Sequence, residues 1–561
     1  MTTRIATAFL IGFIICSSLF NSGYFGNVSL DAYFGFCISS IIVSIILSFG
    51  VSNNSRHIPL DGSFRVPGPL HIFLALTAYI TIHGCLSHHF NLSHYYWLAA
   101  GALLLTIKGA ASAGHLRYLP AGIMLIALFE SFVVLFQWLG LSPSMNELFV
   151  CTGTWANPNV TAMFLAMSLF SQKQPLNRRY GKTFFLIQLS LILLAIVVLH
   201  CRTAYVVAAL FLLESYKHLI PAAKLPLVRI AAIVLFVVCL AFGAKRNSTD
   251  GRIQVWRNTL QLIYSNPITG IGFGQFEKEY NAFVAAHNLP STDHVYMPYN
   301  DFLELAVEGG GIAVVLWTTF LVLLIRRCKN DSKALAMVIS FIVIQLTNFG
   351  FQAIPVYALF LIYTGSYLYD AEKIKDSSKI PGAWLVFKPM VAITIVVELL
   401  ICTRLFLIAN AFHQTKMIRE EYPAREAIER YGEVANTLGF SSSYHESSGD
   451  LFMRTGNYIA AKSQYMLALQ TTSRPDVLGK CGWCCGRLGQ YDSAIRCFEV
   501  IEKLQPFKYA PRMALLKLYE QKKDTASIKS KAREIMAMPV KVPGAEVDRM
   551  KGEARKWMQV N

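Results

Sequence analysis

Between Asp250 and Gly311 the chain turns polar and aromatic, punctuated by Gly and Pro, with long apolar runs on both sides. The segment opens on Arg252-Ile-Gln-Val-Trp256-Arg257. At i and i+4, Arg252 and Trp256 share one face of a helix. A guanidinium takes phosphate oxygens two at a time, so Arg252 is a candidate phosphate ligand, with Arg257 beside it. The same residues also suit an amphipathic interfacial helix held by Trp256. Next comes Asn266-Pro267-Ile-Thr-Gly270-Ile-Gly272-Phe-Gly274-Gln-Phe276. Its G-x-G-x-G lacks the strand and helix of a dinucleotide site and reads as a tight re-entrant turn whose amides face an anion. A loop with His287 and His294 leads to Tyr299-Asn300-Asp301-Phe302-Leu303-Glu304, then Glu308 before Gly309-Gly-Gly311. These polar residues enter an apolar run, which favours a water-filled cavity unless the helix starts only near Leu305. The two histidines are either functional or merely solvated.

Two further elements lie upstream. In Gly153-Thr-Trp-Ala-Asn157-Pro158-Asn159 the Asn-Pro step starts a helix, with Asn157 or Asn159 as its cap. In His200-Cys-Arg202-Thr203, Arg202 either snorkels at a membrane boundary or meets an anionic partner.

The elements that must hold these residues are membrane helices. The chain has 561 residues, 54% hydrophobic and 15% charged, and a mean hydropathy of +0.43, too apolar for a soluble enzyme of this length. About 20 apolar residues cross a bilayer as a helix. Thirteen runs qualify: 5–20, 30–51, 69–87, 94–112, 118–140, 158–171, 183–200, 203–216, 227–244, 303–325, 334–351, 353–369 and 386–409. The first reads as a span rather than a cleaved leader. Runs 183–200 and 203–216 are either two helices with a sharp turn or one broken block.

With a cytoplasmic amino terminus, the inner loops hold twenty Lys and Arg, from Arg4 and Arg56 to Lys379 and Lys388, whereas the short outer loops hold only Arg202. This bias sets the orientation. It places loop 245–302 and everything after residue 410 on the outer face. The net charge of +17 is thereby accounted for, with no basic stripe for nucleic acid. Eight of twelve cysteines precede residue 403 in or beside apolar runs and act as small hydrophobes. Cys481 and Cys484 have CxxC spacing, but no second pair follows to complete a metal site.

From about Glu420 the composition is that of a soluble helical domain. Gly456-Asn-Tyr-Ile-Ala-Ala461 with Tyr465 and Ala468 recurs 33 residues on as Gly489-Gln-Tyr-Asp-Ser-Ala494 with Phe498. Gly turns two helices tightly, Ala lets them pack and the aromatic fills the next groove. This resembles tetratricopeptide repeats, two clear and one or two degenerate around 420–450 and 507–540. Such arrays bind proteins. The expected fold is all-α: a membrane helix bundle over 1–410, with its outer loop at 245–302, and a helical repeat domain over 411–561.

Over residues 70–370 the order of elements GTWANPN (153–159), CRTA (201–204), GRIQVW (251–256), NPITGIGFGQF (266–276) and YNDFLELAVEGG (299–310) resembles the O-antigen ligase family of membrane glycosyltransferases. That family includes related polymerases and protein O-oligosaccharyltransferases. The resemblance implies transfer of a glycan from undecaprenyl pyrophosphate to an acceptor hydroxyl on the periplasmic face of the bacterial inner membrane, as in lipopolysaccharide assembly. It implies no nucleotide cofactor and no metal; arginines offset the charge of the departing pyrophosphate. The catalytic candidates are Arg202, Arg252, His294, Tyr299, Asp301 and Glu308. Asn157, Asn159, Trp256, Arg257, Gly272, Gly274 and Asn300 are candidates for substrate contact. Many relatives carry His where this chain has Tyr299, and a phenol is a poor base at neutral pH. His294, Asp301 or Glu308 takes the role, or base catalysis is weak. The acceptor is a lipid A core, a growing glycan or a protein, and the repeats mildly favour a protein partner. A polysaccharide transporter or flippase would show repeated halves with broken helices, and none is evident. A plain anchor for the repeats would not need thirteen spans.

Overall fold

The structure, a computed structural model, describes residues 12, 15, 35–43, 68–87, 90–112, 115–172, 179–217, 246–368, 383–540 and 544–559. The expected spans 5–20 and 227–244 therefore lie outside the described residues apart from two isolated positions, as does most of 30–51. So do Arg4, Arg56, Arg65, Lys173, Arg178, Lys224, Arg229, Lys373, Lys375 and Lys379. Every regular element among the described residues is helical.

The chain divides into two compact units. One comprises Met1–Thr249, Ile268–Phe273 and Tyr299–Phe406; the other comprises Asp250–Pro267, Gly274–Pro298 and Leu407–Asn561.

In chain order the described helices are α1 Pro69–Leu86, α2 Leu92–Ser112, α3 Leu119–Trp138, α4 Pro158–Ser168, α5 Arg179–Val198, α6 Arg202–Ser215, α7 Arg246–Ser265, α8 Phe276–Ala286, α9 Asp301–Cys328, α10 Ser332–Thr347, α11 Ile354–Tyr367 and α12 Ala383–Glu421. Pro69–Leu86, Leu116–Trp138 and Asp301–Cys328 are long and apolar enough to cross a membrane. Four shorter apolar helices accompany them. On α3, Leu125, Phe129, Phe132 and Phe136 form an exposed stripe at helical spacing, while Ile123, Ala127, Glu130, Val134 and Gln137 are buried on the other side. An exposed stripe of Leu and Phe beside a packed face is what a lipid-facing helix presents. The chain is a multi-pass membrane protein.

Where the sequence left 183–216 as two helices or one broken block, there are two, α5 and α6, turning at His200 with φ 51°. The first unit's core is aromatic. Trp317 of α9 meets Phe73, Trp97, Phe320 and Phe351 at ring distances of 5.0–6.3 Å. Phe341 and Phe360 stack at 3.9 Å. In lipid, where burial of apolar surface adds little, such close packing holds helices together.

Two ends of this unit are distinguishable. Lys217 after α6 bonds Ser332 at the start of α10, and Lys333 donates to the Gln172 carbonyl at 2.6 Å. Lysines thus mark the end of α6, the start of α10 and the segment after α4. The starts of α6 and α9 and the end of α10 share the opposite end, as their hydrogen bonds below show.

The second unit contains the repeats. After α13 Ala424–Glu433 and α14 Ala435–Leu438 come three helix pairs: α15 Ser442–Arg454 with α16 Tyr458–Ala468, α17 Pro475–Arg487 with α18 Tyr491–Leu504, and α19 Tyr509–Lys522 with α20 Thr525–Ala537. Their first helices start 33 and 34 residues apart. α21 Ala545–Gln559 follows, laying Val547, Met550 and Trp557 against the last pair's core. The turn inside each pair needs a left-handed residue, supplied by Gly456 (φ 76°), Gly489 (φ 72°) and Lys523 (φ 61°). The third position is a lysine, so a search for the glycine finds only a degenerate unit.

The groove filling follows the same logic. Tyr465 lies over Gly449 and Phe498 over Gly482, so close that a Cβ on either glycine would meet the ring at 2.6 and 2.9 Å. In the third pair the sizes are exchanged: Leu516 and Ala532 share its core. Cys481, Cys484 and Cys485 are free and buried in the core of the first two pairs. Gly449→Ala should destabilise by about 1–3 kcal/mol, because Tyr465 is fully buried and its hydroxyl is tied to Asp450 at 2.6 Å. A lowered unfolding midpoint for the repeat helices in hydrogen exchange checks this.

Candidate functional site

The first turn of α9 gathers the polar residues of the last motif. Tyr299 turns the chain at φ 54°, and Asn300 follows in extended conformation. Its Oδ1 accepts from the amides of Phe302 (3.0 Å) and Leu303 (3.1 Å), so it is a helix cap. Its Nδ2 donates to the Leu346 carbonyl at the end of α10 (3.1 Å). The helix therefore starts at Asp301, not near Leu305.

Asp301 is 1% exposed, and its Oδ2 accepts from the Phe351 amide at 3.0 Å. Gly350 makes room for it: a Cβ there would stand 2.8 Å from Oδ2. One turn on, Glu304 Oε1 accepts from Gln352 Nε2 at 2.6 Å. Asp301 Oδ1 and Glu304 Oε2 are buried, and neither makes a well-aligned hydrogen bond among the described residues. Buried carboxylate oxygens left over in this way are uncommon and suit proton transfer. Glu304 was not singled out from sequence as a site residue. Its i+3 spacing from Asp301 was the available signal.

Arg202 belongs to the same end of the first unit. It is the first residue of α6 and half-buried. Its neighbour Thr203 bonds Thr347 Oγ1 (3.0 Å) and accepts from Asn348 Nδ2 (3.0 Å). With Asn300 on Leu346, these bonds place Arg202, Tyr299, Asn300 and Asp301 around the end of α10.

Glycine shapes the middle of α9. Gly310 has φ 64° and ψ −168°, a break within the helix. The carbonyls on the N-terminal side of the break are taken up by the G-x-G-x-G turn. The Ile271 amide donates to Val307 and the Gly272 amide to Glu308, both at 2.9 Å. Tyr79 OH donates to Gly309 O at 2.9 Å. Gly270, Gly272 and Gly274 all have positive φ, so the expected tight turn is present. The expected use of its amides is corrected: those of Ile271 and Gly272 brace α9 and have no proton left for an anion. Glu308, whose carbonyl takes one of them, has a buried side chain.

The GTWANPN element is held from α3. Asn157 caps α4 by accepting from the Asn159 amide at 3.0 Å, with Pro158 as the first helical residue. Upstream, Gln137 Oε1 accepts from the amides of Thr152 (2.9 Å) and Gly153 (2.8 Å). Glu130 accepts from the Thr154 amide (3.1 Å) and hydroxyl. Glu130 is fully buried, and sequence reasoning missed it. The signal was a lone acid amid an apolar helix.

The remaining candidates belong to the second unit. On α7, Arg252 and Trp256 are half-buried and Arg257 is exposed. Trp256 Nε1 donates to the Pro298 carbonyl at 2.8 Å, so the ring anchors the loop to itself. Asn258 Nδ2 donates to Pro290 O (3.0 Å) and meets Tyr280 OH at 3.3 Å. Burial pushes the Tyr280 phenol up to about 12, against a smaller opposing effect of the Asn258 bond. His287 is exposed. His294 is not a solvated residue: its side chain is 3% exposed and its Nε2 lies 2.6 Å from Glu277 Oε1. Among the described residues no group of three or more His, Cys, Asp or Glu side chains is placed to hold a metal ion.

Glu277 also faces Thr472 and Ser473, with Tyr296, Arg474, Asp476 and Asp293 nearby. Burial raises its carboxyl, but the His294, Thr472 and Ser473 bonds outweigh this and hold it below the usual 4.5. A carboxyl lowered in the folded state stabilises fully above 4.5, and that contribution is lost as pH falls through the lowered value. Hydrogen exchange of residues 274–298 should therefore accelerate on acidification below about 4.5. In Glu277→Gln this pH dependence should disappear.

Residues 161–318 match the family model described as O-antigen ligase. The match runs from Thr161 of α4 to Thr318 of α9 and takes in Arg202, Arg252, the glycine turn, Asp301, Glu304 and Glu308. No curated protein matches the chain. Among solved structures the chain is similar to "Crystal structure of APC/C hetero-tetramer Cut9-Hcn1". The identity is 10% and the TM-score 0.22, over 94% of this chain and 90% of that one. A TM-score this low says nothing of the fold. With its apolar helices, the chain is a multi-pass membrane protein in which residues 161–318 are similar to the O-antigen ligase family.

Proposed function

We propose that the protein transfers a glycan from undecaprenyl pyrophosphate to an acceptor hydroxyl on the periplasmic face of the bacterial inner membrane. The observation that carries this reading is the grouping of a cation, Arg202, with the buried carboxylate turn of α9 around the end of α10. The acceptor oxygen attacks the anomeric carbon, the bond from that carbon to the pyrophosphate oxygen breaks, and the acceptor proton passes to a carboxylate. Arginine offsets the charge of the departing pyrophosphate, and Arg202, Arg252 and Arg257 are the candidates for it. Arg202 stands at a helix start, where the backbone adds to its attraction for an anion. Asp301 is the base, with Glu304 one turn on and Tyr299 just before the helix; Glu308 lies a further turn along, beside the break at Gly310. Buried against Glu277, His294 serves the loop's structure in this reading. Asn157, Asn159, Trp256, Gly272, Gly274 and Asn300 shape the site through caps and turns.

Orientation follows from charge. By the positive-inside rule the lysines on one end of the first unit support a cytoplasmic face there and a periplasmic end for Arg202 and Asp301. The acceptor is a lipid A core, a growing glycan or a protein recognised through the repeats. The test is Arg202→Ala and Arg252→Ala in the native host, read by accumulation of carrier-linked glycan. A gel separating lipopolysaccharide from glycoproteins in a deletion strain then identifies the acceptor.

A further inference from the structure

Glu277 lies in the first turn of α8, and its carboxylate collects four donors. His294 Nε2 stands at 2.6 Å, Thr472 Oγ1 at 2.8 Å, the Ser473 amide at 3.1 Å and Ser473 Oγ at 3.0 Å. Ser473 Oγ also reaches the Glu277 carbonyl at 3.1 Å. Thr472 and Ser473 are some 195 residues downstream, in the turn joining the first and second repeats. The next inter-repeat turn grips the same loop: Ser291 Oγ donates to Leu504 O (3.1 Å), Gln505 Nε2 to Asp293 Oδ1 (2.7 Å) and Lys503 Nζ to Ala285 O (3.2 Å).

The grip extends to the helix that carries the arginine. Asn258 of α7 bonds Pro290 and Tyr280, Trp256 bonds Pro298, and Asn281 exchanges two hydrogen bonds with Val295. α7, α8 and the segment to Pro298 are thus one framework fastened to two turns of the repeat array. Hydrogen bonds are directional, so this junction sets the loop's register as well as its attachment. A shift of about 1 Å in a substrate-positioning group can cost a hundredfold in rate.

We infer that Glu277 is a positioning residue: through Thr472 and Ser473 the repeat array holds the loop helix bearing Arg252 in place for the donor. The array is on this view part of the transfer machinery as well as a surface for partners. The inference rests on the function proposed above.

The test uses the full-length protein in membranes supplied with carrier-linked glycan. E277A should raise the apparent KM for that donor about tenfold or more and speed deuterium uptake across 274–298. E277Q keeps an acceptor of the same shape and should stay within about threefold of the parent. T472V with S473A removes the array's side-chain donors and should reproduce E277A; this pair carries the test if E277A does not accumulate. Faster uptake with an unchanged KM overturns the positioning role, as does no change in either. R252A separates the two readings. If R252A transfers normally, the proposed function fails whatever E277A does; if R252A is inactive and E277A is normal, only the role of Glu277 falls.

Discussion

Arg202→Ala and Arg252→Ala should each lower glycan transfer about a hundred- to a thousandfold, the usual cost of losing one group that stabilises developing negative charge. The leaving group gathers charge on its pyrophosphate as the glycosidic bond breaks, and a fixed guanidinium is worth most at that moment. Ground-state binding should change less than the transfer rate. Carrier-linked glycan should accumulate while surface glycan disappears and protein levels stay normal by immunoblot. Lysine at either position keeps the charge but loses the two-pronged geometry, so partial activity is expected. Arg257→Ala, at an exposed site, should have a smaller effect. Unchanged surface glycan in both alanine variants would remove the arginines from the site.

Gly310→Ala should be severely damaging for a single added methyl group. The position has φ 64° and ψ −168°, a conformation available in practice to glycine alone. A Cβ would also stand 2.2 Å from the Ile268 carbonyl oxygen and 2.3 Å from its carbon. These are backbone atoms of the turn that pairs with α9, so they cannot rotate aside. Backbone strain alone costs about 1–3 kcal/mol, and moving the turn breaks the bonds from Ile271 and Gly272 to Val307 and Glu308. The expected outcome is loss of most of the protein from membranes, or a clearly lowered midpoint in thermal unfolding of the detergent-solubilised chain. Gly122→Ala is the control. It lies within α3 with nothing within 4 Å of an added Cβ. There alanine should be neutral or stabilise by about 0.5–1 kcal/mol.

These predictions probe features that differed in how legible they were. Arg202 stood out in the sequence because it broke a charge pattern. The positive φ at Gly270, Gly272 and Gly274 was also legible, since residue type restricts backbone conformation locally. What the turn was for was not: its amides serve the carbonyls left at the break in α9, and that break is visible only with the helix in place. Asn157 was recognisable as a helix cap because a cap acts two or three residues ahead, whereas Asn300, read only as a substrate contact, caps α9 in the structure. The partners of Asp301 and Glu304 were not, because Phe351 and Gln352 are about fifty residues away.

The repeat domain divides the same way. Two units were readable because Gly, Ala and an aromatic recur at one offset, each for a local steric reason. The third was obscured where Lys523 takes the left-handed turn and where Leu516 and Ala532 exchange the sizes of glycine and aromatic. Packing requires complementary volume and does not care which helix supplies it.

By itself the sequence determined the helical, membrane-embedded character of the chain, its repeats and the places where helices begin, since hydropathy, periodicity and capping act over a few neighbouring residues. Only the tertiary structure decided which carboxylates keep an unpartnered oxygen, where the glycine turn spends its amides and which loop the repeats hold. Those outcomes depend on donors and acceptors from distant parts of the chain meeting within about 3 Å, as Glu277 does with Thr472 and Ser473, some 195 residues apart.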